Sequence, residues 1–235
     1  MRPSSSSDDL LTVAEVAAIL DRTPQAVRDL IAAGTLPAQR LGRVFVVARA
    51  EVERLQRLPR PAGRPWSPAV AWELIGLLDA DARGGPTPDR NAARRRQLCD
   101  RDLGELAARL QVRAWRAPVA LTSTRWRRLI EDELVVPSGE PLAVTVDAYV
   151  AATDLPTVRA RYGLAPADGA DGGAGVLRVV PAAVPTALLP RRPRAGAAAA
   201  ALDAIEDPDL ERHQAGMSAL AALHQRVCRR PGPQT

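Results

Sequence analysis

Between Leu11 and Gly34 the chain spells two short capped helices with almost nothing between them, and this pairing restricts the fold more than any other stretch. Thr12 and Glu15 have capping-box spacing, and Leu11 and Val16 stand where a hydrophobic staple packs. Val13, Val16, Ala17 and Leu20 recur at helical spacing and make one apolar face. Asp21 and Arg22 interrupt the pattern. Thr23 then reads as an N-cap with Pro24 at the first helical position. Val27, Leu30 and Ile31 form the second buried face, and Gly34 supplies a stop. Two short helices joined by a tight turn, each with a single apolar stripe, predict a helix-turn-helix unit.

The next segment, Leu36 to Val47, is punctuated by Pro37 and Gly42 into two β-prone pieces with a turn centred on Leu41-Gly42. A hairpin of this size beside a helix-turn-helix reads as a wing. A last helix, Arg49 to Leu55, closes the core with Val52 and Leu55. In such units the N-terminal residues of the second helix meet base edges in the major groove. The candidate DNA-contacting residues are therefore Arg22, Thr23, Gln25, Ala26 and Arg28 around the second helix, with Arg40, Gly42 and Arg43 on the hairpin. Guanidinium groups at the hairpin tip suit phosphates or the minor groove.

The run from Leu11 to Ala17, then Thr23-Pro24-Gln25-Ala26-Val27-Arg28, Ala33-Gly34-Thr35-Leu36-Pro37-Ala38 and Arg40-Leu41-Gly42-Arg43, resembles the excisionase/MerR-type helix-turn-helix. The resemblance covers about residues 10–55. It implies a winged DNA-binding module in which residues 23–33 form the recognition helix. Three positions depart from the pattern: Asp21-Arg22-Thr23 replaces a Gly-Val-Ser turn, Asp29 stands where Arg is common, and Val46 where a basic wing residue is usual.

Beyond residue 58 the composition changes. Pro59, Pro61 and Pro65 alternate with Arg60 and Arg64 and predict a stiff linker over 59–66. Residues 1–9 read as a disordered lead, 10–58 as the DNA-binding domain and 67–235 as a second domain. Ser67-Pro68 opens a helix that is apolar almost all round, through Leu78, and therefore buried. Asp79 to Pro88 reads as a polar loop. Arg90 to Leu110 reads as one or two helices that carry Arg94-Arg95-Arg96, either a solvated face or an auxiliary contact to phosphate or an acidic partner. Val112 to Pro118, Leu134 to Val136, Leu142 to Tyr149 and Val176 to Val180 read as strands. Ser123 to Glu131, Leu155 to Tyr162, Ala197 to Ile205 and Pro208 to Val227 read as helices, the last with Asp207 as its cap. The fold class is α+β: a winged helix-turn-helix followed by a mixed, mostly helical second domain.

Hydrophobic residues make up 46% of the chain but aromatics only 3%, so the core must be built from Ala, Leu and Val. All basic residues are Arg, a bias that resembles a high-GC, actinobacterial genome, and the net charge of +5 permits DNA binding without demonstrating it. Nothing apolar is long enough to span a membrane or act as a signal peptide, which suggests a cytoplasmic protein. Cys99 and Cys228 are far apart and read as a reduced pair. His224 lies four residues from Cys228, but no second pair completes a ligand set, and His213 reads as an ordinary histidine. The Gly-rich stretch Asp168 to Gly175 follows a helix and precedes a strand, the reverse of a nucleotide-binding turn. No enzyme chemistry, metal or cofactor is expected.

Arg64-Pro65-Trp66-Ser67 with Ala71-Trp72-Glu73-Leu74, Val176 to Pro181, and Ala201-Leu202-Asp203 with Glu206-Asp207-Pro208 resemble parts of actinobacterial regulators related to AbiEi-type antitoxins. That resemblance implies a DNA-binding head joined to a body that meets a nucleotidyltransferase-like toxin. The expected function is a double-stranded-DNA-binding transcriptional regulator that controls its own operon. The alternatives are a toxin-neutralising antitoxin and a phage-type excisionase, the latter disfavoured by so large a second domain. The expected partners are DNA, a toxin or other protein bound through 67–235, and a second copy of the chain.

Overall fold

The computed structural model describes residues 10–32, 35–58, 66–82, 92–120, 122–132, 135–138, 147–166, 174–189, 195–207 and 209–229. The head begins with a strand the sequence did not announce, β1 (Leu10–Thr12), which runs straight into α1 (Val13–Ile19). The capping box forms as spelled. Thr12 Oγ1 accepts the Glu15 N–H at 3.3 Å, and the Glu15 carboxylate accepts the Thr12 N–H at 2.7 Å. Asp21 then takes a left-handed φ of 50°. This is the position at which the family pattern has glycine, and the conformation explains that preference, since a side chain there is tolerated best when it is Asp or Asn. Thr23 caps α2 (Pro24–Ala32) by accepting the Ala26 N–H at 3.1 Å. Gly34 lies outside the described residues.

β2 (Gln39–Leu41) and β3 (Val44–Ala48) pair antiparallel, and β1 pairs with the other edge of β3 to give the order β1-β3-β2. Leu41 pairs directly with Val44, so the two-residue tip is Gly42-Arg43, one residue later than the expected Leu41-Gly42. Gly42 carries the positive φ of 61° that such a tip demands. α3 (Arg49–Arg57) follows, and Val16, Leu20, Val27, Leu36, Val47 and Val52 meet in one core.

The body is built on a five-stranded sheet. In chain order its elements are α4 (Pro68–Ala82), α5 (Ala92–Cys99), α6 (Leu103–Leu110), β4 (Trp115–Ala120), α7 (Ser123–Glu131), β5 (Val136–Pro137), β6 (Asp147–Ala151), α8 (Leu155–Tyr162), β7 (Ala165–Pro166), β8 (Ala174–Val180), α9 (Ala197–Ile205) and α10 (Leu210–Arg229). The strand order is β5-β6-β8-β4-β7, with β6 and β8 parallel and every other pairing antiparallel. Strand alternation divides the core in two. Ala148, Val150, Leu177 and Val179 face α7 and α8 through Trp126, Leu129 and Val158. Tyr149 and Val180 face the other way, where α4, α6, α9 and α10 pack.

Several expectations need correction. α4 does not stop at Leu78 but continues through Asp79, which is buried because its carboxylate accepts the Ala198 N–H at 2.8 Å. Asp79 thus caps α9, whose own N-cap, Gly196, has no side chain to do so; a Cβ on Gly196 would lie 1.7 Å from Asp79 Oδ2. β4 starts at Trp115 rather than Val112, because Gln111–Arg113 forms a 3-10 turn. α10 is capped by Asp209, which accepts the Arg212 N–H at 3.0 Å, while Asp207 pairs with the Arg212 guanidinium. Gly175 belongs to β8, not to a connector, and its missing Cβ makes room for the Trp126 ring. The thiols are not a separated pair. The end of α5 docks on α10, and Cys99 and Cys228 form a disulfide with their Cα atoms 5.6 Å apart, a contact across 129 residues that spacing alone does not reveal.

Head and body touch. Leu58, at the end of α3, joins the body's helical core, and Leu55 packs against both cores. Arg116 of β4 reaches Glu51 of α3 at 2.9 Å.

Candidate nucleic-acid interface

The predicted contact residues fall into two groups on the head. Arg22, Thr23, Gln25 and Arg28 are exposed at the start of α2, with Ala26 half-buried between them. Arg40, Gly42 and Arg43 are exposed at the hairpin. At the α2 N-terminus Pro24 has no N–H, and Thr23 accepts the Ala26 N–H through its side chain and the Val27 N–H through its carbonyl. The Gln25 N–H, for which no bond is seen among the described residues, stands with the positive end of the helix dipole beside Thr23. Among the described residues, Arg22, Arg28 and Arg43 have no protein partner. Two other candidates are engaged. Gln25 Nε2 donates to Asp29 Oδ1 at 3.0 Å, one turn along α2, and Arg40 Nε donates to the Gly42 carbonyl at 3.2 Å. Asp29, where the family pattern often has Arg, therefore orients Gln25.

Sequence reasoning missed the apolar part of the hairpin. Leu41, Val44 and Phe45 are 56%, 52% and 39% exposed, so guanidinium groups and bare apolar side chains share one tip. The signal was present in Val44-Phe45-Val46-Val47, four successive apolar residues on a strand whose side chains alternate, so that they cannot all face one core. Val46, where the pattern carries a basic residue, is buried at 8% exposure, on the opposite face of β3 from the core residue Val47.

The head is braced against the body by charge. Glu51 receives Arg54 at 2.6 Å and Arg116 at 2.9 Å, and Arg54 also donates to the Thr35 carbonyl at 2.9 Å in the segment after α2. Burial would raise the Glu51 carboxyl, but Arg116 and Arg54 together hold it below its ordinary range.

A second polar cluster lies inside the body and was not foreseen. Arg113 donates to Glu206 at 2.6 Å, to Asp203, and to Tyr149 Oη at 3.1 Å. Arg178, on β8, reaches Glu206, lies 2.7 Å from Asp203 Oδ1 and pairs with Asp147 at 2.9 Å. Ser138 and Tyr149 donate to Asp203 as well. Burial alone would push the Glu206 carboxyl up, yet Arg113 and Arg178 bring it down to about 2. Burial pushes the Tyr149 phenol well above its usual value. These groups pair with one another and so fix α9 to the sheet. Asp203 and Glu206, three residues apart on one helix face, were the available signal. Their arginines were invisible in a chain whose every basic residue is Arg.

His213 Nδ1 lies 2.6 Å from the Ile205 carbonyl, as an ordinary structural histidine would. His224 is different, because Cys99 joins it and Cys228 to make a trio whose donor atoms all lie within 4.8 Å of one another. Among the described residues no helix is long and apolar enough to cross a membrane.

Residues 10–57 match the family model described as a helix-turn-helix domain, a span that coincides with β1 to α3. No curated protein and no solved structure gives a significant match to the chain. The match supports a DNA-binding role for the head.

Proposed function

We propose that the protein is a sequence-specific, double-stranded-DNA-binding transcriptional regulator that acts on its own operon. α2 is the recognition helix and enters the major groove; the β2–β3 hairpin is a wing that follows the backbone. The observation that carries this reading is Arg28, without a partner among the described residues, on the exposed face of a capped α2 in a unit that matches a helix-turn-helix model. Thr23 and the Gln25 N–H at the start of α2 receive a phosphate, Arg28 reads a base edge, and Arg40 and Arg43 neutralise phosphates. One such module covers too few base pairs for high specificity, so two copies bind adjacent half-sites. The setting is cytoplasmic, and the reading requires no cofactor and no catalysis.

The body serves as the interaction domain. Its resemblance to toxin-neutralising regulators rests partly on Asp203, Glu206 and Val176 to Val180. Of these, all but the half-buried Val176 are buried, and the two acids are engaged internally, so those residues offer little to a toxin and the regulator reading takes precedence. The test is a binding titration of the full chain on duplexes from its own upstream region. Saturable binding at least tenfold tighter than to scrambled duplex is expected; equal affinity for both removes the sequence-specific reading.

A further inference from the structure

Cys99 is the last residue of α5, and His224 and Cys228 stand one turn apart on the face of α10 that receives it. All three are half-buried, screened from bulk water on one side by Leu98, Leu223 and Val227 but still open to small solutes. In the structure the two sulfurs are bonded to each other, and a bonded sulfur offers no thiolate. Reduction changes the site's chemistry. A cellular dithiol transfers two electrons and two protons, the Cys99–Cys228 bond breaks, and the dithiol closes its own disulfide. Two thiols and an imidazole then share one small volume.

We propose that the reduced chain binds a Zn2+-type cation through Cys99 Sγ, Cys228 Sγ and His224, with a fourth position open to water, and that the ion is released when the disulfide re-forms, the two electrons passing to a cellular disulfide that leaves as its dithiol. Two thiolates and an imidazole are the donor set that this cation prefers. Ligands four residues apart on a helix face the same way, which is how paired ligands of such sites are commonly presented. Zn–S bonds of about 2.3 Å and Zn–N bonds of about 2.0–2.1 Å place tetrahedral donors roughly 3.3–3.8 Å apart. The observed limit of 4.8 Å therefore needs only side-chain adjustment once the sulfurs separate.

The second observation is the imidazole's outer contact. His224 Nε2 lies 3.1 Å from the Leu98 carbonyl, the residue before Cys99. A ring N–H given to a backbone carbonyl fixes the tautomer, leaves the other nitrogen, Nδ1, as a lone-pair donor, and holds the ring in place, the usual support of a metal-bound histidine. On binding, the two thiols lose their protons to solvent, so the ion is held as a dithiolate. The two states of the site join the same two helices by different means.

The experiment uses the full chain, reduced and then freed of reductant under argon, titrated with Zn2+ against a chromophoric chelator and separately with Co2+. One ion per chain is expected, with a thiolate-to-Co2+ charge-transfer band. Cys99→Ser and His224→Ala should each weaken binding at least tenfold. The disulfide form should bind nothing at this site until reduced. An affinity unchanged in Cys99→Ser, or a Co2+ spectrum without the thiolate band, overturns the proposal. A measurement on the unaltered chain guards against misfolded variants. Zn2+ should slow alkylation of the reduced cysteines at least tenfold, and an unchanged rate also overturns it. None of these readouts involves DNA, so the result stands apart from the regulator reading.

Discussion

Arg28 and Arg43 are chemically identical and both unpartnered among the described residues, yet the proposed docking gives them different work. Arg28→Ala should lose about 1–3 kcal/mol on the cognate duplex and relax preference at one base pair, because a base-edge contact discriminates by that amount. Arg43→Ala should weaken binding to all duplexes alike and reduce the slope of log affinity against log salt by about one contact. Titrations at several salt concentrations separate the two; a uniform loss for Arg28→Ala would make it an anchor. Inside the body, Glu206 makes a pH-dependent contribution. Its carboxyl is held at about 2 in the folded chain against an ordinary 4.5, so its stabilisation is complete above about pH 5 and is lost as pH falls toward 2. Asp147, which burial raises despite Arg178, acts in the opposite sense. Glu206→Gln should cost about 3–5 kcal/mol at neutral pH, since it leaves buried guanidinium groups short of a partner. It should also flatten the acid limb of a denaturation series; an unaltered limb would show that Glu206 is not the titrating group.

At the scale of the element, what was legible and what was not divides along local and remote causes. α1, α2, α7, α8 and α9 were readable to within a residue or two, because Thr12, Thr23 and the apolar spacing act within one or two turns. The end of α4 was not, because Asp79 looks like a helix breaker until α9 arrives to accept it as a cap. β1 was missed for the same reason: Leu10–Thr12 becomes a strand only when β3 lies alongside. In the candidate interface the exposed arginines were legible from family spacing, whereas the engagement of Gln25 by Asp29 and the apolar tip at Leu41, Val44 and Phe45 needed the folded chain. The remote cap makes its own prediction. Asp79→Ala strands a buried N–H at the start of α9 and should cost about 2 kcal/mol. Asp79→Asn, which still accepts that bond, should recover most of it in the same urea titration, and equal losses would exclude a capping role.

For the whole molecule, head and body are chemically separable but mechanically joined through Leu55, Leu58 and the Glu51–Arg116 pair. A fragment of residues 1–58 should fold on its own core and bind the same duplex at least tenfold more weakly, since α3 loses its bracing. A folded fragment with no affinity would place the body in the interface itself. The order of the parts along the chain has a further consequence for biosynthesis. The residues of the head's own core, Leu11 to Val52, all lie within residues 10–57, so that core can form as soon as the stretch leaves the ribosome. The body has no such option. Arg113 and Arg178 emerge before Asp203 and Glu206, and α9 itself awaits its partner helix, α10, which follows it in the chain. During translation the nascent chain therefore carries a finished helix-turn-helix unit ahead of an unneutralised, half-built body, whose buried charges are matched only once α9 and α10 have followed.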